Sequence, residues 1–277
     1  MPSSGGCGEQ GLDKVTIITG GSKGIGEGCA RVFCAAGARV VICARGRETG
    51  EALASALTAR GPGECHFEPC DVRQPQDIRQ VVDRTIGRYG RLDCLINNAG
   101  SHPPNKPIDE FSVEEFSELL QWNLVSYFAA CKYALPHLRQ TGGSVINMGS
   151  LVGVIGQRLA TTYCATKGGI SAFTKALAID ESRHGVRVNA VLPGNILSHS
   201  RACAVAQSEN PQELDNLVDS WQWPGRSGTV EEVGHACLFL ASDGASFITG
   251  VELMVSGGAE LGYGIKDPSR LGLQPDL

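Results

Sequence analysis

Short apolar runs alternate with longer amphipathic segments along most of this 277-residue chain. Runs of this kind, rich in Val, Ile and Leu, are typical of strands that are buried on both faces of a sheet. The alternation predicts parallel strands joined by right-handed helical crossovers, with helices on both faces. The predicted strands are Val15–Thr19, Ala38–Cys43, Cys65–Cys70, Leu92–Ile96, Ser144–Met148, Val186–Val191 and Val251–Val255.

The segments between these strands have helical patterns, and glycine or proline ends several of them. Pro136 is expected to distort the last turn of the longest helix. The fold class is therefore α/β, a doubly wound parallel sheet in a single domain. The predicted helices are Glu27–Ala36, Gly50–Arg60, Asp77–Gly90, Glu114–Arg139, Thr161–Ser182 and Thr229–Leu240.

The domain is expected to span residues 14–265, between a flexible tail at 1–13 and a loose tail at 266–277. Residues 195–228 lack the alternation and contain Trp221 and Trp223. Long inserts in compact domains often act as lids or binding loops, so this insert is expected to be a substrate loop.

The bulk composition argues against several classes of protein. The net charge of −5 and the absence of a dense Lys/Arg run disfavour a nucleic-acid partner. No stretch of about 18 apolar residues is present, so no membrane span is expected. The eleven cysteines form no C-x-x-C pair, and we expect reduced, buried thiols of a cytoplasmic protein without a metal site.

A glycine-rich segment, Thr19–Gly26, follows the first predicted strand and opens the first helix. Glycines there let the backbone approach a diphosphate, and the helix N-terminus supplies N–H donors. The alternative is a tight turn without a ligand. Asn97–Gly100 follows the fourth strand at the same edge of the predicted sheet, so it is expected either to press against a cofactor or to form a simple Asn-rich turn.

Tyr163 and Lys167 are four residues apart on a predicted helix and share a face. An ammonium near a phenol favours the phenolate and lowers the pKa of the tyrosine toward neutral pH. Such a tyrosine takes a proton from an alcohol as hydride leaves, or returns one to a carbonyl. Ser150, directly after the fifth strand, is placed to hold the same oxygen. The alternative is a surface Tyr/Lys pair on an amphipathic helix.

Together with Pro193-Gly194, these motifs occur in the order seen in the short-chain dehydrogenase/reductase family, which the chain resembles over residues 14–264. The resemblance implies a Rossmann-like sheet of seven strands and nicotinamide-dependent oxidation of alcohols or reduction of carbonyls. It also implies a homotetramer. The tetrad that it implies comprises Asn123, holding a water that relays protons, Ser150, Tyr163 and Lys167, which also binds the nicotinamide ribose.

The same resemblance places Asp71-Val72 against the adenine and Ser198 at the nicotinamide carboxamide. With the glycine-rich segment and the loop after the fourth strand, these positions complete an expected cofactor site. Its residues are Gly20, Ser22, Lys23, Gly24, Ile25, Gly26, Arg45, Asp71, Val72, Asn98, Ala99, Gly100, Tyr163, Lys167, Pro193, Gly194, Ile196 and Ser198.

The segment Cys43–Arg47 lacks the acidic residue that suits the 2′-hydroxyl of NAD. With no carboxylate to repel it, a 2′-phosphate is expected near Arg45, helped by Lys23, because guanidinium–phosphate pairing is strong and forked. NADP(H) is therefore expected in preference to NAD(H). The alternative is that Arg45 and Arg47 are solvated loop charges.

Asn97–Pro104, Ser150–Gln157 and Gly257–Gly264 are similar to family members that act on a steroid 17β-hydroxyl or on a sugar such as L-fucose. That similarity implies that His102 and Gln157 line the substrate pocket with Ser150 and Tyr163. Leu197-Ser198-His199 stands where those members have an aromatic residue and Thr-Pro. The alternatives are a non-catalytic nucleotide-binding scaffold on the same fold and a nucleotide-sugar epimerase or dehydratase, for whose larger C-terminal domain this chain has little length left.

Overall fold

The computed structural model describes residues 13–206 and 208–272. Its strands are β1 (Val15–Thr19), β2 (Arg39–Ala44), β3 (Glu64–Pro69), β4 (Cys94–Asn97), β5 (Ser144–Met148), β6 (Arg187–Pro193) and β7 (Glu252–Val255). They form one seven-stranded sheet in the order β3-β2-β1-β4-β5-β6-β7, and every neighbouring pair is parallel. The predicted Rossmann-like fold class is confirmed.

Helices cover both faces of the sheet and bury a separate apolar core on each. They are α1 (Gly24–Ala35), α2 (Arg47–Arg60), α3 (Pro75–Tyr89), α4 (Val113–Leu120), α5 (Ser126–Thr141), α6 (Val152–Ile155), α7 (Thr161–Glu181), α8 (His199–Ala206), α9 (Pro211–Asp219) and α10 (Val230–Ala241). One core includes Phe33 of α1 and Val233 of α10, and the other includes Val81 of α3 and Ala134 of α5. Within the described ranges, no helix is long and apolar enough to cross a membrane.

The strand order reverses direction at the centre of the sheet, where β1 lies between β2 and β4. In an open parallel sheet, such a reversal leaves a crevice outside the carboxyl ends of the two central strands. The glycine-rich segment leaves the end of β1, and Asn98 leaves the end of β4. The fold therefore brings the two predicted cofactor loops to one crevice.

The predicted long helix Glu114–Arg139 is two helices, α4 and α5, joined by a π-helical turn at Gln121–Val125. Pro136 lies inside α5 and does not end it. A π-turn adds a residue to the helical repeat without changing the apolar character of the segment. Periodicity alone therefore predicted one uninterrupted helix.

The insert at 195–228, which was predicted without regular structure, contains two short helices, α8 and α9. Arg201 of α8 donates from Nη2 to Asp215 at 2.6 Å and to Asp219 at 3.3 Å, both on α9. These two helices are therefore tied to each other by charged hydrogen bonds rather than by a large apolar face.

The predicted loose tail at 266–277 is partly ordered. The backbone N–H groups of Lys266 and Asp267 donate to the Ser220 carbonyl at 2.7 and 3.0 Å, and Pro268–Leu271 forms a 3₁₀ helix. The expectation of a loose tail is wrong for residues 266–272, because these backbone bonds hold them against the end of α9. Residues 1–12 and 273–277 of the two predicted tails lie outside the described residues.

Gly28 of α1 lets that helix touch α10, since a Cβ at Gly28 would lie 2.4 Å from the Val230 carbonyl oxygen. We expect Gly28→Ala to lower the free energy of unfolding by about 1–3 kcal/mol, because the two helices must separate. Gly87→Ala is the control, since position 87 is an exposed site in α3 facing open space among the described residues. The free energy of unfolding of Gly87→Ala should rise by roughly 0.5–1 kcal/mol, because alanine favours a helix more than glycine does. Urea unfolding measures both, and an unchanged Gly28→Ala protein would contradict the close contact.

Candidate active site

The glycine-rich loop after β1 is compact and open toward the crevice. Gly20 and Gly24 have φ of +65° and +60°, and the Gly20 N–H donates to the Cys43 carbonyl at 2.8 Å. A Cβ at Gly26 would lie 2.3 Å from the Gly20 carbonyl oxygen, so only glycine fits there. Backbone rather than side chain thus faces the space at the start of α1, where free N–H groups suit a diphosphate.

The loop after β4 is bonded to the end of β1. The Thr19 hydroxyl accepts the N–H groups of Asn98 at 2.9 Å and Ala99 at 3.0 Å. The Asn98 side chain donates to the carbonyls of Thr19 at 2.9 Å and Gly20 at 3.2 Å. These bonds hold the two predicted cofactor loops in one rigid arrangement.

Asn123 lies in the π-turn and is fully buried. Its Oδ1 accepts the Ser101 N–H at 2.8 Å, and its Nδ2 donates to the Ser101 carbonyl at 2.9 Å and to the Thr166 hydroxyl at 3.1 Å. The side chain therefore joins the loop after β4 to α7. The role of Asn123 in holding a water that relays protons stays a prediction.

The predicted catalytic residues lie together at the end of β5. Lys167 is buried, and its Nζ donates to the Met148 carbonyl at 2.9 Å. The same Nζ is 5.7 Å from the centroid of the Tyr163 ring, one helical turn away on α7. A hydrogen bond with Ser150 lowers the pKa of Tyr163. Ser150, Tyr163 and Lys167 are therefore neighbours in the structure.

Burial controls the protonation of both groups on α7. It raises the pKa of Tyr163 to about 12, and the hydrogen bond with Ser150 only partly opposes the rise. It also lowers the pKa of Lys167 to about 8. The sequence-based expectation that the lysine lowers the pKa of the tyrosine is wrong, since desolvation is the largest cause of the shift and the Lys167 charge is not among its causes. Both groups are thus driven toward their neutral forms.

Tyr127 of α5 also belongs to this cluster, although the sequence analysis did not single it out. It is fully buried, its hydroxyl donates to the Met148 carbonyl at 3.2 Å, and Lys167 Nζ lies 5.9 Å from its ring centroid. The carbonyl that holds the lysine is therefore shared with a buried phenol. A single tyrosine inside an apolar helix gives no sequence signal for such a role.

His102 and Gln157 lie on two loops at the mouth of the site. The His102 ring centroid is 4.1 Å from that of Tyr163. Gln157 Nε2 donates to Asn105 Oδ1 at 3.5 Å, and the Lys106 N–H donates to the Leu159 carbonyl at 2.9 Å. The structure thus places His102 directly beside Tyr163. Gln157 lies on a second loop, which contacts the loop of His102.

A cationic cluster lies where β2 and β3 end. The Arg45 guanidinium is 4.8 Å from the Trp122 ring centroid, and that of Arg73 is 5.1 Å from the same ring. Arg73 Nε donates to Asp71 Oδ1 at 2.9 Å, and this hydrogen bond is the main cause of the lowered pKa of Asp71. Val72, beside them, is buried. Trp122 and Arg73 join the predicted Arg45 and Asp71 here and were not predicted.

The segment after β6 closes the crevice from the side of the insert. The Leu151 N–H donates to the Pro193 carbonyl at 3.0 Å, and the Gly194 N–H donates to the Val255 carbonyl at 3.0 Å. The Ser198 hydroxyl accepts the Arg201 N–H at 3.3 Å at the start of α8. A Cβ at Gly24 would lie 3.7 Å from Ser198 Cβ, so the insert approaches the glycine-rich loop here.

These observations fit a nicotinamide dinucleotide. The expected cofactor residues that line the crevice come from the ends of β1, β2, β3, β4 and β6, and the start of α1 offers glycine backbone without obstructing side chains. Ser22 and Ile25 are half-buried in that loop, and Lys23 is exposed at the N-cap of α1. Among the described residues, no group of three or more His, Cys, Asp or Glu side chains is arranged to hold a metal ion.

Comparison with known proteins shows the family of the chain. Residues 20–260 match the family described as enoyl-(acyl carrier protein) reductase. The chain is 49% identical to the L-fucose dehydrogenase of Bos taurus over 91% of this chain and 92% of the relative, and 47% identical to that of Mus musculus over 95% of each. It is 36% identical to a 3-oxoacyl-[acyl-carrier-protein] reductase of Chlamydia trachomatis over 89% of this chain and 97% of the relative.

A solved structure of a dehydrogenase has the same fold. The crystal structure of the dehydrogenase Cj0485 superposes with a TM-score of 0.84 at 30% identity, covering 91% of this chain and 95% of that one. The chain belongs to the short-chain dehydrogenase/reductase family. It is an oxidoreductase that acts on CH–OH groups with a nicotinamide cofactor, as the sequence analysis predicted.

The lowered pKa of Lys167 predicts a pH-dependent stability. Its usual value of 10.5 falls to about 8 in the fold, so between these pH values the unfolded chain binds more protons than the folded one. The free energy of unfolding should therefore rise with pH in this window through this group. Urea unfolding of the wild type and Lys167→Met from pH 7 to about 9.5, below the range where Tyr163 titrates, should show a difference that grows with pH.

Tyr163→Phe is the control. It keeps Lys167, so its free energy of unfolding should rise with pH as that of the wild type does. Parallel curves for the wild type and Lys167→Met would show that the pKa of Lys167 is not lowered by folding.

Proposed function

We propose that this chain is an NADP(H)-preferring dehydrogenase of a secondary alcohol, with L-fucose as the first candidate substrate and Tyr163 as the acid/base. The observation that carries the proposal is the position of Tyr163, which has Lys167 Nζ 5.7 Å from its ring and the His102 ring 4.1 Å away. A proton-transferring group is thus set beside a buried lysine and next to a polar side chain at the mouth of the site.

The chemistry divides between cofactor and protein. A bound nicotinamide exchanges hydride with the substrate carbon. The Tyr163 hydroxyl gives a proton to the carbonyl oxygen during reduction, or takes one from the hydroxyl during oxidation. The Ser150 hydroxyl holds the same substrate oxygen. When the phenolate forms, the ammonium of Lys167, held by the Met148 carbonyl, lowers the free energy of the charged state.

The polar mouth of the site favours a sugar. His102 is exposed beside Tyr163, and Asn105 and Gln157 present amides on the two contacting loops. A sugar with several hydroxyls finds donors and acceptors there. The relatives named L-fucose dehydrogenase support the same choice. A steroid hydroxyl is the second candidate, because Val154 and Ile155, next to Gln157, are 52% and 54% exposed and offer an apolar surface.

Initial rates followed at 340 nm with L-fucose and estradiol, each with NADP⁺ and NAD⁺, test the proposal. We expect turnover of L-fucose, and a loss of about 10²–10⁴-fold in Tyr163→Phe because the proton-transferring hydroxyl is gone. Tyr263→Phe changes an exposed tyrosine and is the matched control. Faster oxidation of estradiol would select the steroid, full activity of Tyr163→Phe would refute the mechanism, and no turnover of any alcohol or ketone would leave a non-catalytic nucleotide-binding scaffold.

The cofactor preference is proposed from the cationic cluster of Arg45, Arg73 and Trp122. Arg45 is exposed at the end of β2, and the nearby Asp71 carboxylate is paired with Arg73. Arg73 also feels the charge of Glu118, so Arg45, which forms no ion pair among the described residues, is the guanidinium left for a ligand. Such a cluster suits a 2′-phosphate better than a free ribose hydroxyl.

Arg45→Gln should raise the KM for NADPH by roughly ten- to a hundredfold, the loss expected for one charge-assisted hydrogen bond, and leave the KM for NADH nearly unchanged. Arg47→Gln is the matched control, since Arg47 pairs with Glu51 at 3.0 Å on α2. Steady-state kinetics with NADPH and with NADH measure both KM values for each variant. A wild type that prefers NADH, together with an unaffected Arg45→Gln, would show that Arg45 is a solvated loop charge.

We also propose a cytoplasmic homotetramer. Eight described cysteines are buried as free thiols, which fits a reducing compartment. Val113 of α4, Phe128 of α5 and Ile179 of α7 are exposed apolar side chains that contact between subunits would cover. Light scattering measures the assembled mass.

A further inference from the structure

A cavity of about 270 Å³ lies between the glycine-rich loop, the segment after β6 and helices α8 and α9. Most of its lining is apolar, and one side chain in it carries a charge. The residues that matter here are Ile25, Gly194, Ser198, Arg201, Leu214 and Val218. The cavity therefore connects the start of α1, where a diphosphate is expected, with the insert.

The charged residue is Arg201, whose side chain is only 12% exposed. Its Nη2 donates to Asp215 and Asp219, but its Nε and Nη1 are buried without a hydrogen-bond partner in the part of the chain that the structure describes. A buried donor left unpaired is costly, because it has lost its water without gaining an acceptor. Donors arranged in this way are expected to meet a ligand that brings oxygen atoms.

We propose that Arg201 binds the diphosphate of the dinucleotide, from the side opposite the start of α1. Ile25, in the first turn of α1, lines the same cavity, and a Cβ at Gly24 would lie 3.7 Å from Ser198 Cβ. A diphosphate at the helix N-terminus would be held by the N–H groups of the loop, and Arg201 would offer donors from the other side of the cavity. This inference rests on the proposed nicotinamide-dependent function and adds a residue to it.

Two carboxylates on α9 position this arginine. Asp215 and Asp219 both accept from Nη2, and Asp219 also accepts the Ser227 N–H at 2.9 Å and the Ser227 hydroxyl at 2.7 Å. They occupy one nitrogen of the guanidinium and leave the other two for the ligand. The ion pair thus ties the two insert helices together and fixes the orientation of the free donors.

Binding of ADP-ribose and of adenosine, measured by isothermal titration, tests the proposal without any turnover. Arg201→Gln should weaken ADP-ribose binding about tenfold or more, the loss expected for a charge-assisted hydrogen bond, and leave adenosine binding unchanged. Arg201→Lys should recover part of the loss because it restores the charge without the fork. Equal effects on both ligands, or no effect on either, would overturn the proposal.

Asp215→Asn separates ligand binding from support of the insert. It removes one partner of the ion pair but keeps the arginine, so ADP-ribose affinity should stay equal or increase. If the ion pair only supports the insert, Asp215→Asn should weaken binding as much as Arg201→Gln does. Arg226→Gln removes another ion pair, with Glu232 at 2.7 Å, and controls for a general loss of surface charge. Thermal unfolding of each variant shows whether it folds.

The two proposals fail separately. If the wild type turns over no alcohol or ketone but Arg201→Gln still loses ADP-ribose selectively, the diphosphate site stands and the catalytic proposal falls. If the wild type turns over L-fucose and Arg201→Gln binds ADP-ribose normally, the catalytic proposal stands and the diphosphate site falls.

Discussion

The three hydrogen bonds of Asn123 determine where the two sides of the reaction site lie. Its amide is fully buried, so each of its polar atoms needs a partner inside the protein, and an orphaned one costs about 1–3 kcal/mol. Ser101, which it holds, precedes the histidine that stacks on Tyr163, and Thr166, which it also holds, precedes Lys167. One side chain thus sets the loop after β4 and helix α7 at a fixed separation.

The proposed binding of the cofactor phosphates depends on local charge rather than on the acidic net charge of −5. Guanidinium groups stand at both ends of it, Arg45 and Arg73 on Trp122 where β2 and β3 end, and Arg201 in the insert. Each group is held by aromatic or carboxylate partners, so little orientational freedom remains to be lost when an anion binds.

Much of the fold follows from local sequence, because buried parallel strands require apolar runs, and such runs locate the strands of this sheet, although β3 is weaker since it contains His66 and Glu68. The sequence analysis missed helices α8 and α9, because both are short, although Leu214, Leu217 and Val218 share one apolar face of α9. At the site, the Tyr163/Lys167 spacing is visible in the sequence, but the burial that raises the pKa of the tyrosine depends on distant elements. Trp122 and Tyr127 follow no recognisable motif, and their partners lie on or directly after distant strands.

The position of the π-turn at Gln121–Val125 fixes how many residues the chain can have before it. Within it, Trp122 and Asn123 are adjacent in sequence but serve opposite parts of the crevice, the first beside the guanidinium cluster and the second between Ser101 and Thr166. One residue more or less before this point rotates everything after it by about 100°. The amide would then leave the interior and an indole or a leucine would replace it, so insertions and deletions are far less tolerable here than point substitutions at either neighbour.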